Sequence, residues 1–254
     1  MYDAKWYPLM NSQDINTMCF IATSRDHPIA LWDCSTGKVR ATYSGLNHLD
    51  ELDTAVSLSF NCSGDKIYAG SNRMIRCFDV SDPGRQSFAI PTTKSRKSVL
   101  GQKGLISTLS FNPDFSGLYA AGSFANSIGL YVENDKECAM QLDELEFGVT
   151  CLKWSPCGRY LWAGGRHSSS IQCWDIRSTG ACVGRVSRSL HSQQRMVFDI
   201  DPWGSFLVSG SDQGRILAYD TTTFELSADF DAGTDGSCVN TVLLHPYCSL
   251  MVSV

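Results

Sequence analysis

The histidines and cysteines are the residues from which catalytic or metal chemistry would first be expected in this sequence. The histidines lie at positions 27, 48, 167, 191 and 245, and none is spaced from another as metal ligands usually are. The 11 cysteines include no C-x-x-C pair, so zinc-ribbon spacing is absent. No nucleophile elbow, P-loop or H-E-x-x-H motif is present. The sequence therefore predicts no enzyme, no metal site and no cofactor.

Four aspartates recur at one point of a repeated segment, directly after an apolar run that ends in an aromatic residue. They are Asp33, Asp79, Asp175 and Asp220. A carboxylate in this place is suited to accept backbone N–H groups of the turn that follows. The alternative is a hydrolase, which requires carboxylates with raised pKa values to converge on one cavity. Because the aspartates keep a fixed place in the repeat, we interpret them as turn-forming residues.

Basic residues are concentrated in two segments that contain no acidic residue. Segment 85–104 holds Arg85, Lys94, Arg96, Lys97 and Lys103, and segment 177–198 holds Arg177, Arg185, Arg188, His191 and Arg195. Segment 133–146 is acidic by contrast. Two basic connections could follow a phosphate backbone, and arginine also stacks on unpaired bases. Ordinary solvated loops are the alternative, and composition alone favours them.

The elements that must carry these residues follow a repeat of three apolar segments. The first segment ends in an aromatic or aliphatic residue before a Pro or Gly turn, the second ends in small residues, and the third ends in aromatic-Asp. The first recurs at 2–6, 56–60, 106–111, 149–154, 197–200 and 239–244, the second at 67–71, 118–123, 161–165 and 207–211, and the third at 29–33, 75–79, 128–131, 171–175 and 216–220. Short fourth strands are expected, for example at 39–43 and 225–230. The period approaches the ~40–45 residues of a WD40 blade, with longer connections in the first two copies.

This repeat predicts an all-β WD40 β-propeller of about five complete blades and part of a sixth, forming a single domain over 1–254. A four-stranded sheet cannot bury both faces alone, so neighbouring blades share a core. Because a ring closes only with whole blades, we expect the domain to be incomplete at both ends, with exposed strand edges. One helical turn is expected at 47–52, where a capped turn that packs Leu49 and Leu52 is the structural interpretation. Val132 stands where other copies have Asp, which predicts a different turn there.

The composition restricts the possible partners. Hydrophobic residues make up 43% and charged residues 19%, which suits a packed domain, and the net charge of -5 excludes a basic footprint over the whole domain. Any nucleic-acid site must therefore be a local patch. No apolar run approaches the ~18 residues of a membrane helix, and no signal-peptide pattern opens the chain, so no membrane partner is predicted. Most cysteines lie in apolar runs, which favours reduced thiols of the cytosol or nucleus.

Several segments resemble the telomerase Cajal body protein 1 family of WD-repeat proteins, and two of them, 47–52 and 194–201, lie at blade connections, where the repeat itself requires nothing. The matching segments are Tyr2–Met10, Arg25–Asp33, Asn47–Leu52, Asn72–Arg73, Pro83–Arg85 and Gln194–Ser211. The resemblance spans essentially the whole chain and implies a propeller of seven blades. It implies an RNA-binding scaffold that recognises the CAB-box loop of small Cajal body RNAs and telomerase RNA. Such a scaffold directs these RNAs to Cajal bodies in the nucleus and supports telomerase assembly and telomere maintenance.

The resemblance also implies partners and a site. The partners are the H/ACA ribonucleoprotein (the dyskerin complex), coilin and the survival-of-motor-neuron complex. We predict RNA contacts by Arg195 in the longest match, Arg166 after the small residues of a second segment, Arg73 in the corresponding turn of another blade, and His48 in the 47–52 match. A protein-only WD40 adaptor that binds an acidic peptide on the same rim is the alternative function, and a propeller hydrolase is a third.

Overall fold

The structure is a computed structural model that describes residues 1–47, 49–93, 101–143, 145–178, 181–188, 195–233, 235–245 and 251–254. Within these ranges the regular structure is β-strand, apart from a 3-10 helix at Ile15–Thr17. No helix of the described part is long and apolar enough to span a bilayer. The prediction of an all-β chain is confirmed. The strands belong to two compact units, unit one (Met1–Gln141) and unit two (Leu142–Val254).

Unit one begins with an antiparallel sheet that gains a fifth, parallel strand. Its strands in order are β1 (Asp3–Trp6), β2 (Cys19–Thr23), β3 (Ile29–Asp33), β4 (Val39–Ser44) and, from a later connection, β8 (Gly84–Arg85). The β8 strand pairs with the end of β4. The Tyr43 hydroxyl donates to the Val80 carbonyl at 2.9 Å, and the Gln86 side chain forms two hydrogen bonds with the backbone of Leu46. The sequence repeat did not predict this added strand.

Two further four-stranded sheets complete unit one. They consist of β5 (Ser57–Phe60), β6 (Lys66–Ser71), β7 (Met74–Asp79) and β9 (Phe88–Pro91), and of β10 (Ile106–Phe111), β11 (Leu118–Ser123), β12 (Ser127–Val132) and β13 (Cys138–Leu142). Both faces of β6 are buried, because Ile67 packs with residues of the first sheet and Tyr68 packs with residues of the third. The strands therefore carry continuous apolar runs, as expected where each face meets a neighbouring sheet.

Unit two holds two four-stranded sheets and one pair of strands. They are β14 (Val149–Trp154), β15 (Tyr160–Gly165), β16 (Ser170–Asp175) and β17 (Cys182–Ser187), then β18 (Phe198–Ile200), β19 (Phe206–Gly210), β20 (Arg215–Asp220) and β21 (Leu226–Asp231), then β22 (Val242–Leu244) and β23 (Met251–Ser253). Trp162, Phe198 and Tyr219 lie in the core between the two larger sheets. The five larger sheets and one partial sheet are the number that the repeat predicted.

An aspartate on the first strand of one blade reaches the first strand of the next. Asp3 accepts the Leu58 amide at 2.9 Å in unit one, and Asp199 accepts the Leu244 amide at 3.1 Å in unit two. A buried carboxylate needs such bonds to offset its loss of hydration. These aspartates therefore join successive blades in each unit.

Segment 47–52 differs from the prediction of a helical turn. Leu46 and Leu52 pair as an isolated β-bridge, and the Asn47 side-chain oxygen accepts the amides of Leu49 and Glu51. Leu49 is 63% exposed, so the predicted packing of Leu49 is wrong as well. The reason is local: Asn47 satisfies the amides of the loop, which closes on itself without needing apolar contacts.

The turn after β12 differs from the others, as the sequence predicted. The Asp135 amide donates to the Val132 carbonyl at 3.0 Å, and Asn134 adopts a left-handed φ of 65°. The Asp135 carboxylate then accepts the Glu137 amide at 3.2 Å. The stabilising carboxylate has moved three residues along the chain.

Candidate functional site

The four repeated aspartates each accept hydrogen bonds from the turn that follows their strand. Asp33 binds the amides of Ser35 and Thr36, Asp79 that of Ser81, Asp175 that of Arg177, and Asp220 those of Thr222 and Thr223, at 2.7–2.9 Å. The Thr36 amide and the Arg40 guanidinium hold the pKa of Asp33 at about 2. The Arg177 side chain and amide do the same for Asp175. All four pKa values are lowered, which is the opposite of the shift that a general acid requires.

Asp3 and Asp199, the carboxylates on first strands of blades, also have partners. Asp3 lies 3.7 Å from Lys5 Nζ, and Asp199 lies 2.9 Å from Lys153 Nζ, in addition to their bonds to the next blade. Neither carboxylate can act as a base without losing these contacts. Within the described ranges, no group of three or more His, Cys, Asp or Glu side chains is arranged to hold a metal ion.

Two of the predicted arginines meet at one end of unit two. We call this the loop end: β15 turns into β16 there, and Arg195, shortly before β18, reaches it. The Arg166 amide donates to the Gly148 carbonyl at 3.2 Å, and Arg195 Nε donates to the Thr150 carbonyl at 3.1 Å. Gly148 and Thr150 flank Val149, the first residue of β14. The two arginines come from different connections and share one strand end, which the sequence alone did not reveal.

Arg188 lies beneath this loop end and is not part of an exposed basic loop as we had interpreted it. Its side chain is turned between two blades, and the residue is 2% exposed. Nη1 donates to the Ser209 hydroxyl at 3.3 Å and Nη2 to the Gly165 carbonyl at 3.2 Å. Its Nε has no hydrogen-bond partner, and no carboxylate of the described ranges pairs with it. Burial lowers its pKa to about 10, so the guanidinium remains charged at neutral pH.

Arg73 lies at the corresponding end of unit one, in the turn between β6 and β7. It has a left-handed φ of 57°, and its amide donates to the Gly104 carbonyl at 2.9 Å. With Asn47, Asn72 and Gln86 it lines an open basin of about 560 Å³. The buried Arg76, which also lines the basin, pairs with Asp53 at 2.6 Å. The sequence signalled Arg76 as a charged residue inside an apolar strand, but we did not single it out.

Several predicted basic residues cannot be placed. His48 lies outside the described residues, and so do Lys94, Arg96, Lys97 and His191. Arg85 lies within the described residues. It is exposed, and its Nη1 lies 3.4 Å from Asp50 Oδ1.

Comparison with known proteins shows which family this chain resembles. The family described as WD domain, G-beta repeat matches residues 137–175, which include β13 to β16. Telomerase Cajal body protein 1 from Bos taurus is 38% identical over 259 residues, and that from Homo sapiens is 36% identical over 265 residues. Both similarities cover 100% of this chain, and they cover 47% and 46% of the relatives. The predicted family resemblance is confirmed. The WD40 β-propeller fold class is confirmed with it, since the repeat match agrees with the four-stranded sheets.

The chain spans about half the length of the curated relatives it matches. The similarity to telomerase Cajal body protein 1 includes every connection that carries Arg73, Arg166 and Arg195, because it extends over the whole chain. A relative with a different name, guanine nucleotide-binding protein negative regulator 1 from Schizosaccharomyces pombe, is 30% identical over 222 residues. That similarity covers 84% of this chain and 55% of the relative.

Proposed function

We propose that this chain is a non-catalytic RNA-binding scaffold that holds an unpaired RNA loop at the loop end of unit two. The observation that carries the proposal is the convergence of Arg166 and Arg195 on one strand end of unit two, above the buried Arg188. The RNA would be the CAB-box loop of small Cajal body RNAs and telomerase RNA, in the Cajal body of the nucleus. The choice of RNA follows the family resemblance of the sequence, and the name of the relatives at 36–38% identity supports the link to telomerase and the Cajal body.

The chemistry of the loop end of unit two suits phosphate groups. The guanidinium group forms strong charge-assisted bonds to phosphate oxygens, and such contacts fix the register of the RNA without reading its sequence. The net charge of -5 means that attraction to RNA must come from local cations. Arg188 adds a charge there that no described carboxylate cancels. Arg166 and Arg195 are therefore the residues to which we assign phosphate contacts.

The basin beside Arg73 in unit one suits a base rather than a phosphate. Its rim offers the side-chain amide of Asn72 together with the Arg73 guanidinium, whereas the Asn47 side chain is bound within its own loop. Sequence-specific recognition of RNA uses unstacked bases that lie against arginine planes and bind polar side chains through their edges. We assign Arg73 to such a base contact, and His48, in the adjacent connection, to the same role.

The proposed scaffold would support telomerase assembly and telomere maintenance by joining RNA to protein partners. By family resemblance these partners are the dyskerin complex of H/ACA ribonucleoproteins, coilin and the survival-of-motor-neuron complex. The relatives' name supports an association with telomerase and the Cajal body, and the individual partners are part of the proposal.

The test is the affinity of the chain for a CAB-box hairpin, measured by fluorescence anisotropy. Arg195→Ala and Arg166→Ala are each expected to weaken binding about tenfold, because each removes a charge-assisted bond. Arg185→Ala is the matched control: Arg185 is an exposed arginine of unit two on the outer strand β17, and its loss is expected to leave the affinity unchanged. Unchanged affinity in both loop-end variants, with the circular dichroism of the parent, would show that the site lies elsewhere.

A protein-only adaptor is the second candidate function. The relative named guanine nucleotide-binding protein negative regulator 1 favours it, since that name refers to a protein partner and not to RNA. In this case the loop-end arginines bind an acidic peptide. Ultraviolet crosslinking in cells, followed by denaturing purification, separates the two functions, because only an RNA scaffold yields covalently attached RNA that depends on Arg195.

A further inference from the structure

The other end of unit two carries a pocket that the proposed function does not use. We call this the turn end: β14 turns into β15 there, and β18 into β19. The pocket has a volume of about 340 Å³ and lies between the two larger sheets. Its buried floor includes Trp162 and Cys173, and its walls include Tyr160, Val183, Trp203 and Phe224.

The walls of this pocket are unusually exposed for apolar side chains. Trp203 is 83% exposed and Val183 44%. Trp203 is presented by a tight turn, in which Gly204 has a φ of 74° and donates its amide to the Asp201 carbonyl at 2.9 Å. A large apolar surface beside a cavity marks binding sites, and tryptophan and tyrosine are the residues that most often dominate protein interfaces.

Three polar side chains that line the pocket, those of Ser155, Asp175 and Thr221, already have partners inside the protein. The Ser155 hydroxyl accepts the Tyr160 amide at 3.0 Å, and the Thr221 hydroxyl donates to the Gly204 carbonyl at 2.6 Å. Asp175, the carboxylate in the lining, is bound by Arg177 at 2.6 and 3.0 Å. A nucleobase needs free donors and acceptors to bind its edges, whereas an apolar side chain needs none. The lining therefore favours an apolar side chain.

The charge beside the pocket is positive on one side. Arg177 already neutralises Asp175, and the exposed Arg159 lies near enough to the same carboxylate to contribute to its lowered pKa. Arg159 and Arg177 face one carboxylate, Asp175, on this side of the pocket, while Asp220 in the adjoining turn keeps its own negative charge. Asp220, the carboxylate of the adjoining turn, is engaged by the Thr222 and Thr223 amides. An acidic group on the occupant would complement Arg159.

We propose that the turn end of unit two binds a peptide segment of a partner protein that inserts one aromatic or leucine side chain between Trp203 and Val183 and places an acidic residue beside Arg159. The volume of the pocket suits a single large side chain. Anchoring by one apolar residue with charged flanks is a common mode of peptide recognition. The site is independent of the RNA contacts, since its residues lie at the opposite ends of the same strands.

The binding test uses the chain labelled with 5-fluorotryptophan and three synthetic peptides. The Trp203 fluorine resonance is identified by its loss in Trp203→Phe. The peptide acetyl-Gly-Glu-Glu-Phe-Gly-amide is expected to shift this resonance saturably. Replacing its Phe by Ala, or both Glu by Lys, is expected to weaken binding about tenfold or more, because the first removes the anchor and the second opposes Arg159.

Matched variants of the chain locate the site. Val183→Arg is expected to abolish the shift by placing a charge in the pocket. Val39→Arg is the control, because Val39 is also 44% exposed and also lies on the fourth strand of its sheet, β4. Arg159→Glu, a surface change, is expected to reverse the preference in favour of the Lys-flanked peptide.

Three results would overturn the proposal. The first is equal binding of all three peptides. The second is no shift of the Trp203 resonance by the acidic peptide in a folded chain. The third is a shift by single-stranded oligouridine that Val183→Arg abolishes, which would assign the pocket to RNA. Affinity for the CAB-box hairpin is expected to be unchanged in Val183→Arg, so failure here is distinct from failure of the RNA proposal.

Discussion

Arginine serves three different purposes in unit two, and burial decides which. Exposed Arg177 closes a turn by binding Asp175. Arg195 is half-buried and fixes its Nε on a strand-end carbonyl. Arg188 is fully buried and donates to two different blades. The number of arginines in a segment cannot distinguish these three roles, because each role depends on how deeply the side chain is buried in the folded chain.

The turn aspartates make a residue-scale prediction for the acid range. The Arg177 side chain holds the folded-state pKa of Asp175 at about 2, below its ordinary value of 3.8. A lowered pKa contributes stability above the ordinary value, and this contribution is lost as the pH falls towards 2. Asp175→Asn keeps an oxygen for the Arg177 amide but cannot ionise. The urea midpoint of the parent is therefore expected to fall more steeply between about pH 4 and pH 2 than that of the variant. Parallel curves over this range contradict the assignment.

The sequence predicted the turn aspartates but not Arg188, for a physical reason. The aspartates recur at one repeat position, so four copies support one interpretation. Arg188 occurs once, in a segment that looked basic and solvated. A signal was nevertheless present: Val186 and Arg188 are two residues apart, and side chains two apart on a strand share a face. Val186 is buried, so continued alternation beyond the end of β17 indicates that Arg188 is buried too.

At the scale of elements, one contact between the blades of unit two pairs a glycine with a phenylalanine ring. Phe224, in the turn after β20, has a left-handed φ of 61° and lies against Trp162 with 5.6 Å between ring centroids. An ideal Cβ on Gly184 of β17 would lie 2.4 Å from its ring. A strained turn residue of one blade therefore occupies the space that a missing side chain leaves in the other.

This fit predicts a strong coupling between the two positions. Gly184→Ala is expected to lower the free energy of unfolding by about 1–3 kcal/mol, because the new methyl group displaces the Phe224 ring. In a Phe224→Gly background the same alanine is expected to cost less than about 0.5 kcal/mol, since the clash is gone. Urea unfolding of the four proteins in this double-mutant cycle measures the coupling. Additive costs would mean that the ring and the glycine are not in contact.

The repeat predicted the inner strands well because strands such as β6, β11 and β15 are buried on both faces and carry recurring apolar and small residues. It did not predict β8, since Gly84–Arg85 carries no apolar pattern and pairs only through its backbone, supported by Tyr43 and Gln86. At 47–52 the expected capping is present, since Asn47 binds the loop's own amides, but the segment closes as a loop instead of a helical turn and leaves Leu49 exposed. Pairings that depend on the backbone alone leave little trace in a sequence.

At the scale of the whole molecule, an acidic chain is proposed to bind a polyanion. The net charge of -5 opposes RNA at long range, so binding must come from a few contacts at short range. The sequence predicted this need for a local patch. It named Arg166 and Arg195 as candidates, but it could not show that both reach the start of β14, because their contacts to Gly148 and Thr150 form only in the folded chain.

The salt dependence of RNA binding tests this account. For each phosphate neutralised, the slope of log affinity against log salt is roughly 0.7 for a single strand. Arg166→Ala and Arg195→Ala are each expected to reduce the slope by about that amount, whereas Arg185→Ala is expected to leave it unchanged. Titrations of the hairpin between about 50 and 200 mM salt give the slopes. An unchanged slope in the Arg166 variant would mean that this residue meets no phosphate.

The burial of Arg188 gives the loop end of unit two an electrostatic character that surface arginines alone cannot provide. Mobile ions screen an exposed charge within about 10 Å at 0.1 M salt, but they cannot surround a charge enclosed by protein. The enclosed guanidinium also cannot swing away, since Gly165 and Ser209 hold it. In the proposed complex, the part of the attraction that comes from Arg188 therefore needs no side chain to become ordered on binding, so it lacks the entropic cost that a mobile surface arginine carries.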